Sequence, residues 1–256
     1  MVIDKDKVFF TSDPHFGHNS IIKYCNRPFM NEHEQAIVDE YLNHSFGYDE
    51  EADKEAKDKF RKLRISKEST DRMDETLVSN WNNKVPKNGS VFVIGDVGFY
   101  SQKDNNIMKR LNGKIYHIIG NHDKDMSQYG HLFEWSKHYY ELKVRLSNNK
   151  KDNKKIILCH YAMRVWNGSH YGNYMLFGHS HNTLPDDPNA LSIDVGVDCH
   201  NFTPLSYDDV EAIMKEKSNK AVDWNVRREF NRIAEEYWNQ EITEAEFQEQ
   251  SKKLGY

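Results

Sequence analysis

The stretch VFVIGDVGFY, residues 91–100, decides the fold. Its first four residues are apolar, which is typical of a strand that is buried on both faces of a sheet. The run ends at Gly95, Asp96, Val97 and Gly98, where two glycines permit tight backbone beside a carboxylate. We therefore expect Asp96 to stand at the end of a buried strand and to hold a ligand there.

Four other apolar runs lead in the same way into polar side chains. The five polar segments are TSDPHFGH (11–18), GDVG (95–98), GNHD (120–123), LCHY (158–161) and FGHSH (177–181). If the runs form sheets, these segments can converge at one edge, where ligand crevices of open α/β sheets lie. Asp, His and Asn without Cys suit Mn, Fe, Zn, Ni or Co, and differ from a thiolate-bound structural zinc. The competing hypothesis is that each segment is an ordinary turn, since Asp-Pro and Asn-containing sequences favour turns.

The remaining pattern predicts the other elements. Strands are expected at 8–13, 91–94, 114–119, 139–146, 155–159, 174–177 and 191–198, and helices at 19–24, 32–44, 71–82, 104–111 and 206–218. Residues 139–146 and 155–159 flank a polar turn and indicate a hairpin. The segment 50–65 mixes acids and bases without a strong apolar stripe, so both a solvated helix and a mobile excursion stay open.

Composition excludes several classes of protein. With 256 residues, of which 38% are hydrophobic, the chain can bury one sizeable core. Three cysteines without close pairing indicate no disulfide framework. The N-terminus is charged and no apolar stretch reaches the roughly 20 residues of a membrane span, so we expect a cytoplasmic protein without membrane contact. The formal charge of −5 provides no general basic field, so nucleic acid is not a favoured partner.

The order of the motifs leads to a family. The sequence D-x-H, G-D-x-x, G-N-H-D, a strand-end His and G-H-x-H resembles the calcineurin-like metallophosphoesterase superfamily over about residues 7 to 218. The chain is also similar to small phosphoesterases of bacteria and bacteriophages in the sequence around these motifs, FTSDPHFGHNSIIKYCNRPF and RVWNGSHYGNYMLFGHSHN. If a phage encodes the chain, the expected location of the protein is the host cytoplasm. The resemblance implies an α/β fold: a four-layer αββα sandwich of two mixed β-sheets with flanking helices.

The resemblance also implies a site with two divalent metal ions. Manganese is the expected ion, and Fe, Zn, Ni, Co and Mg stay open. One ion would be held by Asp13, His15 and His181, the other by Asn121, His160 and His179, with Asp96 bridging both. His122 is the expected general acid or hydrogen-bond donor to the transition state, and Asp13, Asp123 and Asp198 are expected to orient neighbouring groups. His18, Arg27 and Arg164 are the candidates for binding substrate phosphate, and for each arginine a surface position or a packing salt bridge stays open as the alternative. The lone His117 is taken as a surface or packing residue and is given no role.

The function implied by the resemblance is that of an enzyme. It would be a dinuclear metal-dependent phosphoesterase, a hydrolase that cleaves a phosphomonoester or phosphodiester of a small or nucleotide substrate by attack of a hydroxide bridging the two metals. A nuclease-type phosphodiesterase using the same site is the alternative. A non-catalytic scaffold of the same fold is a further alternative, but such a chain should have gaps among the ligand positions, and this sequence has none.

Two segments depart from the compact relatives. About forty residues, 31–71, are inserted before the helix at 71–82, so the predicted domain spans 1–219 with this insertion, and 220–256 form a C-terminal helical extension. The extension carries an apolar helical face: Val226, Phe230, Ile233, Ala234, Tyr237 and Trp238. Such a face needs a partner, which predicts packing on the domain or a homodimer contact. Either segment could instead be a lid or a specificity element.

Overall fold

The fold of the computed structural model consists of two sheets and the helices around them. The structure describes residues 1–44, 50–98, 106–123, 129–149, 152–219 and 224–254. The strands are Val2–Asp4 (β1), Val8–Thr11 (β2), Ser90–Ile94 (β3), Lys114–Ile118 (β4), Trp135–Lys137 (β5), Tyr139–Arg145 (β6), Lys154–Cys159 (β7), Tyr174–Phe177 (β8), Ser192–Asp194 (β9) and Leu205–Ser206 (β10). The longer helices are Asn19–Tyr24 (α1), Glu32–His44 (α2), Glu50–Lys62 (α3), Lys67–Lys84 (α4), Tyr207–Lys215 (α5), Trp224–Trp238 (α6) and Glu244–Lys253 (α7).

Both sheets have five strands and are mixed. Sheet 1 has the order β10-β2-β3-β4-β5, with β2 to β5 parallel and β10 antiparallel to β2. Sheet 2 has the order β1-β6-β7-β8-β9, in which β6 and β7 are antiparallel and the other neighbouring pairs are parallel. The antiparallel β6–β7 pair confirms the predicted hairpin.

The two faces of sheet 1 belong to different cores, because alternate side chains of a strand point in opposite directions. Phe92 and Ile94 of β3 belong to a core shared with sheet 2, which contributes residues such as Leu142, Ile156 and Leu176. Val91 and Val93 belong to a second core shared with helices α1 and α4, which contribute Ile22, Met73, Leu77 and Trp81. All five residues of β3 are buried. The predicted sandwich of two mixed sheets with flanking helices is confirmed.

Some predicted boundaries shift. The strand expected at 191–198 is shorter, because the chain leaves sheet 2 after Asp194 and Gly196 bridges to Ser12 instead. A short 3-10 helix, Val197–Cys199, follows. Residues 106–108 of the helix expected at 104–111 are helical, and its first two residues lie outside the described part of the chain. The capping box of Ser206 and Asp209 at the start of α5 is present as expected.

The predicted insertion forms α2 and α3, and part of it packs into the core. Val38, Phe60 and Leu63 are buried together with residues of α4. Lys23 of α1 is 4% exposed and its ammonium donates to the carbonyl oxygens of Phe60 and Leu63, both at 2.9 Å. These carbonyls lie at the C-terminal end of α3, where they have no partner within the helix. The buried ammonium satisfies them and also interacts favourably with the negative end of the helix dipole.

The C-terminal extension is helical, as expected. Thr243 and Glu246 form a capping box at the start of α7, and Phe247 packs its ring against Tyr237 at 4.9 Å. Ile233 is 2% exposed, whereas Trp238 is 80% exposed. Val226, on the same predicted face, lies where no side chain is described. The dimer contact through these helices stays a prediction. Among the described helices, none is both long and apolar enough to cross a membrane.

Candidate metal centre

The polar segments named in the sequence all follow strands that end at one side of the sandwich. Parallel strands present their carboxyl ends at the same edge of a sheet. Asp13 and His15 follow β2, Asp96 follows β3, and Asn121 follows β4, all in sheet 1. His160 follows β7, and His179 and His181 follow β8, both in sheet 2. The loops of the two sheets therefore meet over one site.

The predicted metal ligands form two groups. Asp13, His15 and His181 each offer a ligand atom, and these atoms lie within 4.8 Å of one another. Asp96, His160 and His179 form a second group under the same limit. The amide oxygen Oδ1 of Asn121 lies 3.0 Å from Nε2 of His160, so Asn121 joins the second group. All seven residues predicted to bind metal are thus brought together in the arrangement expected.

Asp96 lies between the two groups. Its Oδ2 atom is 3.6 Å from Nε2 of His15 in the first group and 3.5 Å from Nε2 of His160 in the second. Its other oxygen, Oδ1, accepts a hydrogen bond from the backbone N–H of His122 at 2.8 Å. One carboxylate oxygen is therefore directed toward imidazoles of both groups while the other is held by the backbone.

Two buried ligand atoms lack a hydrogen-bond partner among the described residues. They are Oδ1 of Asp13 and Nε2 of His15, in side chains that are 0% and 1% exposed. Burial raises the pKa of the Asp13 carboxyl to about 6, although nearby His181 and His160 oppose the shift. Burial, and then the nearby Arg27, lowers the pKa of His15 well below its usual range. Because an unsatisfied buried polar atom is costly, a cation that contacts both atoms would fit this site.

The backbone at the site is strained. Five of the seven predicted ligands have φ between +46° and +71°: Asp13, His15, Asp96, His179 and His181. Residues with a Cβ adopt this left-handed region at a cost of order 1 kcal/mol each. Such strain persists only where surrounding structure enforces it, and it concentrates at functional sites. The clustering of these residues supports a functional role for the loops.

The imidazoles are oriented by hydrogen bonds on their second nitrogen. Nδ1 of His160 donates to the carbonyl oxygen of Ile94 at 2.8 Å, which leaves Nε2 facing Asp96 and Asn121. Nδ1 of His181 donates to Oδ2 of Asp198 at 2.7 Å, which leaves Nε2 facing Asp13. Burial lowers the pKa of His181, but the hydrogen bonds to Asp198 and Cys25, together with the nearby Asp13 carboxylate, outweigh burial and raise the pKa to about 10. This arrangement is common for histidines that ligate metals.

Comparisons with known proteins identify relatives without assigning a role. No model of a known protein family matches the chain. Over 210 residues it is 28% identical to an uncharacterized protein, MJ1445, of Methanocaldococcus jannaschii, covering 79% of this chain and 88% of that protein. A solved structure of a protein of unknown function from Aquifex aeolicus, AQ665, aligns with a TM-score of 0.49 at 15% identity, covering 80% of this chain and 98% of that one.

The expectation that Arg27 binds substrate phosphate is wrong in this structure. Arg27 is 1% exposed, and its guanidinium uses all five donors inside the protein. The acceptors are both carboxylate oxygens of Asp198, the carbonyl oxygens of Asp13 and Pro14, and the sulfur of Met73. Arg27 therefore supports the Asp13 loop and holds Asp198, which in turn orients His181.

The other two predicted phosphate contacts differ from each other. His18 lies at the site, with its ring centroid 5.3 Å from that of His15, and burial together with the nearby His122 lowers its pKa to about 4. Arg164 is exposed and lines a cavity of about 320 Å³ with Leu184, Asp186 and Asp187. None of the seven predicted ligands lines that cavity. The structure therefore brings His18 to the site, whereas phosphate binding by Arg164 stays a prediction.

Sequence reasoning missed the role of His117. It is fully buried, stacks on Phe133 with ring centroids 4.5 Å apart, and its Nε2 lies 2.9 Å from Oδ2 of Asp123. The Asp123 carboxylate also accepts from the backbone N–H groups of Asp96, Val97 and Gly120. Asp123 thus ties the Asp96 loop to the GNHD loop. The available signal was the position of His117 in a buried strand, where a histidine needs a partner.

Close approach of the backbone explains one glycine of the GNHD loop. A Cβ added to Gly120 would overlap Oδ1 of Asp96 and approach the Asp96 backbone nitrogen to 2.7 Å. Any larger residue would displace the carboxylate that lies between the two groups. Gly120 therefore permits the β4 loop to press against Asp96.

Proposed function

We propose that the chain is a metal-dependent phosphoesterase that uses two divalent ions at this site. The observation that carries the proposal is the position of Asp96, whose Oδ2 is 3.6 Å from an imidazole nitrogen of one group and 3.5 Å from one of the other. A carboxylate so placed can serve two cations at once. Neighbouring cation sites that share a ligand are typical of enzymes acting on phosphate esters.

The donor set fits the ions. Asp13, His15 and His181 would hold one cation and Asn121, His160 and His179 the other, with Asp96 common to both. Carboxylate, amide and imidazole donors without thiolate suit Mn and related divalent ions. Two such ions, when bound, activate water as a nucleophile and neutralise charge on a phosphate ester.

Residues around the site orient the imidazoles, exclude water and leave one side open for substrate. Asp198 and Arg27 hold His181, and the Ile94 carbonyl holds His160, so their imidazoles are oriented before substrate arrives. The buried surroundings of Asp13 and His15 exclude water from the inner side of the site. Substrate then approaches from the side where Asn121 and His179 are exposed.

His122 is the residue proposed to act on the leaving group. Its ring packs edge-on against His15, with centroids 5.2 Å apart, and its backbone N–H donates to Asp96. It is not a member of either ligand group, and its side chain is only partly buried, so a substrate can reach the imidazole. A protonated His122 donates to the leaving oxygen as the P–O bond breaks.

The experiment measures metal content and activity together. Purified protein is treated with chelator, reloaded with manganese, and assayed on a chromogenic monoester, a chromogenic diester and a single-stranded oligonucleotide. We expect two ions per chain, activity on at least one small ester that requires metal, and loss of both in Asp96→Asn. Asp208→Asn, which removes an exposed carboxylate on α5, is the matched control and should keep both. Turnover that is independent of metal would contradict the proposal.

A further inference from the structure

Tyr161 stands against both imidazoles of the second ligand group. It directly follows His160, and its ring centroid lies 5.1 Å from that of His160 and 4.9 Å from that of His179. The ring meets the imidazoles at 67° and 69°, so the contacts are edge-to-face. Although it packs on two predicted metal ligands, Tyr161 is 48% exposed. Part of an aromatic ring is therefore available at the site.

The exposure of the ligands shows on which side the site opens. Asp13, His15, Asp96 and His160 are at most 1% exposed. Asn121 and His179 are exposed. A substrate therefore reaches the site from the side of the second group, which is where Tyr161 contacts His179.

The chain after Tyr161 adds further apolar surface. Val165 is 57% exposed in the same loop, and Leu184, just after the His181 loop, is 47% exposed. Exposed apolar side chains are common singly, so Val165 and Leu184 alone indicate little. Tyr161 differs because its ring touches the imidazoles that would surround the phosphate.

We propose that Tyr161 is a specificity-determining residue that stacks on a flat aromatic part of the substrate, which makes the preferred substrate a nucleotide-type phosphate ester. This inference rests on the proposed phosphoesterase function. Aromatic side chains stack on every nucleobase, because each base has a π face. The formal charge of −5 favours a single nucleotide over a long polyanion. Tyr161 would hold the base while the ester phosphate lies at the ligand groups.

Two diesters with the same leaving group separate this role from a general one. Thymidine 5′-(p-nitrophenyl phosphate) carries a base, whereas methyl p-nitrophenyl phosphate does not. In each, water adds to phosphorus, the bond to the nitrophenyl oxygen breaks, and p-nitrophenol leaves with thymidine 5′-phosphate or methyl phosphate as the other product. The measured quantity is the ratio of kcat/KM for the thymidine ester to that for the methyl ester.

Three variants are compared with the wild-type protein, all loaded with manganese. We expect Tyr161→Ala to lower the ratio about tenfold, since loss of one stacking contact has an effect of that size. Tyr161→Phe keeps the ring and should leave the ratio within about twofold. Tyr24→Ala removes a tyrosine that is 64% exposed on α1 and packs on Phe60, and it should leave the ratio unchanged.

The outcomes distinguish this inference from the proposed function. Equal losses on both esters in Tyr161→Ala would mean that the ring only positions the imidazoles, and would overturn the inference alone. An unchanged ratio in Tyr161→Ala, with wild-type activity on both esters, would overturn it as well. If the metal-loaded wild type cleaves the chromogenic monoester but neither diester, the inference alone is overturned. No turnover of any of the three esters would overturn the proposed function and this inference with it.

Discussion

Arg27 and Asp198 form a buried ion pair between positions 171 residues apart in the chain. Nε of Arg27 donates to one carboxylate oxygen at 2.7 Å and Nη2 donates to the other at 2.8 Å. The same carboxylate accepts from Nδ1 of His181 at 2.7 Å. The pair therefore joins the segment after α1, the segment after β9 and a predicted metal ligand. We expect the stability of the fold and the affinity for metal to depend on this one carboxylate.

Replacing Asp198 by Asn should reduce both properties. Arg27 would be left buried without its counter-charge, which costs about 3–5 kcal/mol of unfolding free energy. The loss of the carboxylate partner of His181 should weaken binding of manganese about 10-fold to 100-fold. Urea denaturation and calorimetric metal titration measure the two effects. Asp208→Asn, which breaks an exposed pair with Lys5, should change the unfolding free energy little. Unchanged metal affinity in Asp198→Asn would show that Asp198 does not orient His181.

Replacing His122 by Ala should separate catalysis from metal binding. Because His122 belongs to neither ligand group, the variant should keep two manganese ions per chain. Turnover of a small phosphate ester should fall about 10²-fold to 10⁴-fold, the usual contribution of a general acid. Metal analysis and steady-state kinetics measure these quantities, with the exposed His131→Ala as the control. If His122→Ala loses metal as Asp96→Asn does, His122 is a ligand and the assigned role is wrong.

Replacing Gly120 by Ala should disturb the site through a single methyl group. The added Cβ would overlap Oδ1 of Asp96, so the carboxylate must move away from its position between the two groups. We expect weaker manganese binding and a loss of about 1–3 kcal/mol of unfolding free energy, as in other overpacked sites. Gly130→Ala is the matched control, since a Cβ there would meet no atom within 4 Å. Equal metal affinity in the two variants would contradict the close approach of the loops.

Replacing Glu34 by Gln should lower stability in a pH-dependent way. Glu34 is 3% exposed, and its carboxylate accepts hydrogen bonds from the Ser69 hydroxyl and from the backbone N–H groups of Asn31 and Ser66. Burial raises its pKa, but these hydrogen bonds outweigh burial and hold the pKa below its ordinary 4.5. The carboxylate thus stabilises the fold above pH 4.5, and this contribution is lost as pH falls through the lowered folded pKa.

At pH 7, Glu34→Gln should therefore cost about 1–3 kcal/mol of unfolding free energy. The difference from the wild-type protein should shrink when denaturation is repeated below pH 4.5. Glu32→Gln, two residues earlier on α2 and exposed, should change stability little at either pH. A difference that is constant with pH would mean that the charge of Glu34 does not contribute.

Local patterns in the sequence were sufficient to predict most of the strands and helices and to select the candidate ligands, although β1, β5 and β10 were not expected. The apolar run at 91–94 predicts a buried strand, and every residue of β3 is buried in the structure. The spacing of Ser206 and Asp209 predicts the capping box that begins α5. Such features depend on neighbours a few residues away. The family resemblance then grouped the seven ligands, and the structure has the same two groups.

The tertiary structure alone decided which polar residues hydrogen-bond to the predicted ligands. Arg27 was a candidate for binding phosphate because an arginine beside the first motif can bind an anion. Its actual partner, Asp198, is distant in the sequence. His117 was expected to be a packing residue. Its partner Asp123 approaches it only because the loop after β4 turns back toward that strand. Whether a charged side chain faces solvent or a buried partner depends on contacts between remote segments, which a pattern of neighbouring residues does not contain. The sequence by itself therefore determined most of the strands, the caps and the kinds of donor. Packing of the two sheets decided which of those donors face one another.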